Sequence, residues 1–338
     1  MKTFDPNAAP APGSGLYGLP HSPNEAQVAI VPVPFKATTS YGGGAAKGPE
    51  AVLEASKQVD LFDVETGKPY QAGIALLASP DEVRRLDEKA RFLAAPIIEA
   101  GGVGEDAALG EVNALCAQMN EWVYQTTRAL LARGKRVGVL GGDHSVPFGA
   151  IRAHAEAFPG LGVLHLDAHA DLREAYEGFT WSHASIMFNV VRQVPGVAKL
   201  VQVAIRDLCE AEQALIDASG GRVVTFHDAR LAQGRFDGST WSRQVDEIVS
   251  HLPERVYLSF DIDGLDPTLC PHTGTPVPGG LTFHQASALL SGVVRSGRSI
   301  VGFDLCEVSP GADGGEWDGN VGARLLYKMI GWMLRSRS

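Results

Sequence analysis

The strongest constraint on the fold is a run pattern: short, unbroken apolar segments of strand length recur along the chain, separated by longer stretches with helical spacing. The segments are Val28 to Val33, Val137 to Leu140, Gly162 to Leu166, Leu200 to Ala204, Val223 to Phe226, Val256 to Phe260 and Ile300 to Phe303. A strand that is apolar on both sides needs cover on both faces, and alternation with helices supplies that cover through parallel pairing and crossover connections. The pattern predicts an α/β fold, a single doubly wound domain over residues 25–338 with a mainly parallel central sheet flanked by helices. Residues 1–24 read as a flexible N-terminal arm, rich in Pro, Ala and Gly at its start and lacking the basic, apolar make-up of a secretion signal. Asp81 to Gln118 carries Ala, Leu and Glu in helical spacing, broken at Gly101 to Gly104, and predicts a helical insertion at about 80–120 on one edge. A last amphipathic helix is expected at Gly319 to Leu334.

Composition narrows the partners. No apolar run approaches the ~20 residues of a membrane span. A formal net charge of −10 disfavours nucleic acid and anionic membranes, which need clustered Lys and Arg, and suits a small cationic substrate. The four cysteines, Cys116, Cys209, Cys270 and Cys306, lie far apart with no CxxC pair, so neither a disulfide framework nor a zinc knuckle is signalled, and a reducing cytoplasm is expected.

In open α/β sheets ligands bind beyond the carboxyl ends of the strands. Here those positions read Gly141-Gly142-Asp143-His144-Ser145, Asp167-Ala168-His169-Ala170-Asp171 and Asp261-Ile262-Asp263-Gly264-Leu265-Asp266-Pro267. If the strand continues past Leu166, the period of two aims Asp167, His169 and Asp171 at one point, and it likewise aligns Asp261 with Asp263. Carboxylates packed this closely repel one another unless cations neutralise them. Two divalent ions bridged by shared carboxylates would do so and would activate a water. Oxygen ligands with a few imidazoles favour Mn²⁺.

Together these motifs resemble the ureohydrolase family of arginases, agmatinases and related guanidino hydrolases, from about Val28 to the C-terminus, with agmatinase-like members nearest in motif. The resemblance implies an arginase-like three-layer fold and two Mn²⁺ per subunit, with Ni²⁺ or another divalent ion as the alternative metal. It implies that His144, Asp167, Asp171 and Asp261 hold one ion and that His169, Asp167, Asp261 and Asp263 hold the other. In the implied reaction, metal-activated hydroxide attacks the guanidinium carbon and His183, within Trp181-Ser182-His183-Ala184-Ser185, shuttles a proton to the leaving amine. Ala184 stands where most family members carry Gly. Glu307 matches the carboxylate that pairs with the guanidinium, and Asp304 reads as structural.

Asp143, Ser145 and Asp266 are expected to support the ligands from behind. His165, between Leu164 and Leu166, reads as a satisfied core histidine. The loop Leu172 to Thr180 lacks the arginase pattern; its Glu174 or Glu177 would greet a cationic tail, whereas Arg173 would greet a carboxylate tail. The expected reaction is agmatine to putrescine and urea. The alternatives are a guanidinobutyrate or guanidinopropionate hydrolase, an arginase, a guanidine hydrolase, a formimidoylglutamase and an inactive metal-binding homologue. The resemblance also implies a homo-oligomer, trimer or hexamer.

Overall fold

Each of the seven apolar runs forms a strand, and one further strand, too short to stand out in the sequence, joins the sheet. In the computed structural model, which describes residues 4–336 other than 12, 103, 105, 312 and 313, the chain runs β1 (Val28–Val33), α1 (Gly48–Ser56), β2 (Ile74–Leu76), α2 (Asp81–Glu99) and α3 (Asp106–Ala132). It continues through β3 (Arg136–Gly141), α4 (Phe148–Ala157), β4 (Leu161–Leu166), α5 (Ile186–Gln193), β5 (Val197–Ile205), α6 (Glu210–Ala218) and β6 (Val223–His227). It ends with α7 (Asp228–Phe236), α8 (Trp241–Ser250), β7 (Arg255–Asp261), α9 (Phe283–Arg295), β8 (Ser299–Cys306) and α10 (Trp317–Arg335). The helices start where local chemistry favours it: Pro49 sits in the first turn of α1, and a Thr282–Gln285 capping box opens α9.

The eight strands form one sheet in the order β2-β1-β3-β8-β7-β4-β5-β6, and every pairing is parallel. Successive side chains leave opposite faces. Val28 and Ile30 therefore join the core under α8, α9 and α10, while Ala29, Val31 and Val33 join the one under α2, α3, α4 and α5. The central strands are buried throughout, whereas the edge strand β6 is only half-buried beyond Val223.

Two sequence expectations are corrected here. Part of the stretch read as a flexible arm is core: Leu16, Tyr17 and Leu19 are buried, the Tyr17 hydroxyl donates to the Ala323 carbonyl at 2.9 Å, and its ring packs on Tyr327 at 4.7 Å. Proline-rich composition said nothing about these three apolar side chains. The helical stretch is not an appendage on one edge either. After α2, α3 is the crossover from β2 to β3 and packs on β1, β3 and α4. Its N-terminal half also meets the loop that precedes α5, where Asn113 accepts the Thr180 N–H at 2.9 Å.

Candidate active site at the carboxyl ends of the central strands

The four middle strands, in the order β3-β8-β7-β4, end on the same rim of the sheet and deliver the titratable residues to one place. The residues directly after β3 and β8 are locked together, since Glu307 N–H donates to the Gly142 carbonyl at 2.8 Å. Gly142 must be glycine because the Phe35 backbone after β1 packs against it: a Cβ there would lie 1.9 Å from the Phe35 carbonyl oxygen. Gly264 answers the same need at the end of β7, where a Cβ would meet the Asp167 amide at 2.7 Å.

The carboxylates do not converge by the strand period. β4 stops at Leu166, and Asp171 adopts a left-handed φ of 55°. Its carbonyl accepts the N–H groups of Met187 and Phe188, each at 3.0 Å, so the start of α5 holds the turn. Asp261 ends β7, and Ile262–Gly264 forms a 3-10 turn in which Asp261 Oδ1 accepts the Asp263 N–H at 2.9 Å. A straight strand would set residues i and i+2 about 6.6 Å apart; the 3-10 turn instead lets Asp261 Oδ1 reach the Asp263 amide.

His144 Nδ1 faces Asp167 Oδ2 at 2.9 Å, Asp171 Oδ2 at 3.1 Å and Asp261 Oδ2 at 3.5 Å. His169 Nδ1 faces Asp263 Oδ2 at 3.1 Å and Asp167 Oδ1 at 3.4 Å. Two donor sets therefore share Asp167. Behind the first, His144 Nε2 lies 2.9 Å from Ser259 Oγ, and that hydroxyl donates to Asp304 Oδ1 at 3.1 Å. Asp263 is held from its backbone by Arg206, whose guanidinium donates to the carbonyls of Asp263, Leu265 and Val277.

The electrostatics are those of an overfilled acidic site. Burial first, then Asp167, pushes Asp171 up to about 8, and burial with Asp263 and Asp167 drives Asp261 well above the carboxylate range. Burial alone would depress His169, yet Asp263 and Asp167 carry it up to about 12. These side chains can all adopt their ionised, ligand-ready forms only if positive charge is placed among them. The donor set, carboxylate oxygens with two imidazole Nδ1 atoms, fits hard divalent cations.

Above the cluster opens a cleft of about 540 Å³ whose lining includes Tyr41, Arg173, Tyr176, His183, Asp207 and Thr275, with His169 and Asp171 at its base. His183 begins a single 3-10 turn before α5. Burial, then His169, lowers it to about 4, and its Nδ1 is buried without a partner. Ala184, in place of glycine, is not among the described residues with positive φ, so its methyl group strains nothing. Glu307 has a left-handed φ of 62°; its Oε1 accepts the His144 N–H at 3.0 Å and its Oε2 is buried without a partner.

Other expected residues fall elsewhere. Asp143 and Ser145 bond to each other and not to the His144 ring, so they shape the loop. Asp266 accepts from the Thr268 amide at 2.9 Å and hydroxyl at 2.6 Å and touches none of the cluster. Glu174 is exposed and outside the cleft lining, because the loop turns it to solvent; Arg173 lines the cleft, 3.6 Å from Glu212 and over the Tyr176 ring. His165 is the satisfied core histidine expected, fully buried with both ring nitrogens paired, and its Nε2 lies 2.8 Å from Asp167 Oδ2. Sequence reasoning missed Ser259, Arg206 and Asp207. A polar Ser two residues before Asp261 in an apolar run, and an Arg-Asp pair directly after β5, were the signals available.

Residues 26–331 match the family model described as the arginase family. The chain is 34% identical, over 94% of both chains, to an N(1)-aminopropylagmatine ureohydrolase of Thermus thermophilus, and 30% identical to an agmatinase of Cronobacter sakazakii over 91% of this chain and 87% of that one. Its fold is that of the agmatine ureohydrolase of Thermoplasma volcanium, with a TM-score of 0.73 at 23% identity over 95% of this chain and 94% of that one. An all-parallel three-layer α/β sheet with an acid–imidazole cluster at its central strand ends, in a chain with these relatives, is a ureohydrolase, a hydrolase of guanidino C–N bonds. The chain belongs to the arginase family. No described helix is long and apolar enough to cross a membrane.

Proposed function

We propose that the chain is a dinuclear, Mn²⁺-dependent hydrolase of agmatine or an N-alkylated agmatine, R–NH–C(NH₂)₂⁺ + H₂O → R–NH₃⁺ + urea. The observation that carries the cationic tail is the cleft wall: among the described residues the exposed Asp207 carboxylate has no hydrogen-bond or ion-pair partner, while Arg173, which also lines the cleft, already faces Glu212. Similarity to an aminopropylagmatine ureohydrolase and an agmatinase supports the same reading.

His144, Asp167, Asp171 and Asp261 would hold one cation, and His169, Asp167, Asp261 and Asp263 the other. When bound, such a pair neutralises the cluster and lowers the pKa of a water enough to make it a nucleophile near neutrality. Glu307 Oε2, buried and unpaired, is the acceptor for a guanidinium N–H. A charge-assisted bond there orients the planar group toward the cluster. His183, neutral at physiological pH because burial lowers it to about 4, takes a proton from the attacking water and returns it to the leaving amine nitrogen.

A guanidino-acid substrate is the second reading, favoured by Arg173 if a carboxylate tail displaces Glu212 from it. The reading also carries a cytoplasmic homo-oligomer, trimer or hexamer, for which exposed Phe62, Val64, Phe92 and Phe236 offer apolar surface. The deciding experiment is urea release by Mn²⁺-loaded protein from agmatine, aminopropylagmatine, arginine, guanidinobutyrate, guanidinopropionate and guanidine. We expect turnover of the amine-tailed compounds and a drop of about 1,000-fold in Asp261→Asn, since a cation pair contributes several kcal/mol and each 1.4 kcal/mol is tenfold. Preference for guanidinobutyrate would overturn the tail assignment.

A further inference from the structure

Asp167, which would be shared by the two cations, is met by a hydrogen-bond chain that enters the site from inside the sheet. His165 on β4, Gln202 on β5 and Thr225 on β6 lie on three adjacent strands at matched register, His165 opposite Gln202 and Gln202 opposite Thr225. All these contacts form between side chains on one face, with His165 and Gln202 fully buried.

The amide of Gln202 can point only one way. Its Nε2 lies 2.6 Å from the Ala170 carbonyl oxygen, an atom that only accepts, so Nε2 and not Oε1 must occupy that position. The same nitrogen lies 3.0 Å from His165 Nδ1, while Oε1 accepts the Thr225 hydroxyl at 2.9 Å. With a donor facing it, His165 Nδ1 has to be the bare, accepting nitrogen. The ring proton of the neutral imidazole then sits on Nε2, which donates to Asp167 Oδ2 at 2.8 Å. A nitrogen that carries this proton is not a cation ligand, although it lies among His144, Asp167 and Asp171.

The other oxygen of Asp167 is anchored independently, because Oδ1 accepts the His169 N–H at 2.5 Å. Each oxygen of the carboxylate thus takes one proton donor from the protein and keeps a lone pair, Oδ2 on the His144 side and Oδ1 on the His169 side. We propose that His165, locked in its Nε2–H tautomer by Gln202, is a positioning residue that fixes the plane of the Asp167 carboxylate so that it can bridge two cations. The inference rests on the dinuclear reading above.

Its test uses the full chain and Mn²⁺ alone, without substrate. Mn²⁺ binding is read by calorimetry and by the electron paramagnetic resonance of free and bound ion, for wild type, His165→Phe, His165→Gln and Gln202→Leu. Phe keeps the ring volume and loses the donor, so it should weaken the weaker Mn²⁺ step by about 10- to 100-fold, the usual range for groups that orient a ligand. Gln restores an amide N–H near the place of Nε2 and should return binding to within about threefold of wild type, which a purely structural role would not produce. A second readout needs no metal: ¹⁵N-histidine spectra of the metal-free chain, with His165 assigned by its absence in His165→Phe, should show a bare Nδ1 and a protonated Nε2. In Gln202→Leu that preference should weaken to what the Asp167 carboxylate alone imposes, and this variant serves if His165→Phe does not fold, His165 then being assigned by its absence in His165→Gln. Equal Mn²⁺ binding in wild type and His165→Phe, or a protonated Nδ1 in wild type, would overturn the inference alone. A wild type that binds no second Mn²⁺ would overturn the dinuclear reading with it.

Discussion

The floor and the outer wall of the cleft are built on opposite principles. On the floor, Asp167, Asp171, Asp261 and Asp263 are buried, sit directly at strand ends or in the turns that follow, and have their oxygens tied to imidazoles or backbone amides. On the wall, Tyr41 is 73% exposed, the Asp207 carboxylate has no partner among the described residues, and Arg173 and Tyr176 ride on a loop with no strand or helix of its own. That loop is propped from outside by Asn113 of α3 and by Gly102, whose missing Cβ would fall 2.9 Å from Glu177 Cα. Chemistry that must not vary is placed where the sheet leaves side chains no freedom. On the proposed reading, selection among substrate tails falls where a loop can change without disturbing the core.

If this division is right, damage on the floor should remove turnover and damage on the wall should only change affinity. The largest effect is expected from His183→Ala, at the boundary of the two: kcat should fall roughly 100- to 10,000-fold, as for loss of a general acid–base group, with KM little changed. Rapid-quench and steady-state urea assays would read it. A change confined to KM would move His183 from the floor to the wall.

A second effect concerns stability without metal. Folded Asp171 holds its proton up to about pH 8, whereas the unfolded carboxyl releases it near 3.9, so its contribution is present below pH 4 and is withdrawn as pH rises to 8. His169, raised to about 12 against ~6.5 unfolded, contributes fully below pH 6.5 and loses that contribution as pH climbs. His154 and His183, lowered to about 4, act in the opposite sense only below pH 6.5. The metal-free protein should therefore lose several degrees of Tm between pH 6.5 and 8.5, at about 1.4 kcal/mol per unit of pH for each such group, and Mn²⁺ should abolish the slope. A flat Tm in the metal-free protein would mean that the floor carries no excess of buried negative charge.

The smallest effect belongs to the wall. Asp207→Asn should raise KM for an amine-tailed substrate about fivefold, the scale of an exposed ion pair near 1 kcal/mol, and leave kcat intact. An unchanged KM would remove Asp207 from tail recognition.

Much of the floor was readable in advance because it follows from two local rules: apolar runs buried on both faces become parallel strands, and polar residues just past them line the rim. His144, Asp167, His169, Asp171, Asp261 and Asp263 come together as that logic requires, though through a left-handed Asp171 and a 3-10 turn and not through strand periodicity. Backbone turns of this kind depend on partners remote in sequence, such as the first amides of α5. The short strand β2 and the buried Leu16 to Leu19 segment were illegible for a similar reason, since three or four residues carry too little pattern to outweigh their surroundings.

What the chain determines by itself, then, is the set of strands and the chemical identity of their ends, since burial of apolar runs and repulsion among carboxylates are properties of the residues. The tertiary structure alone decides the neighbours. The order β3-β8-β7-β4 brings Ser259 and Asp304 behind His144, and the pairing of β4, β5 and β6 puts Gln202 and Thr225 behind His165. These residues are 23 to 115 positions from their partners, and only the crossovers of a folded sheet bring such distances to hydrogen-bond length.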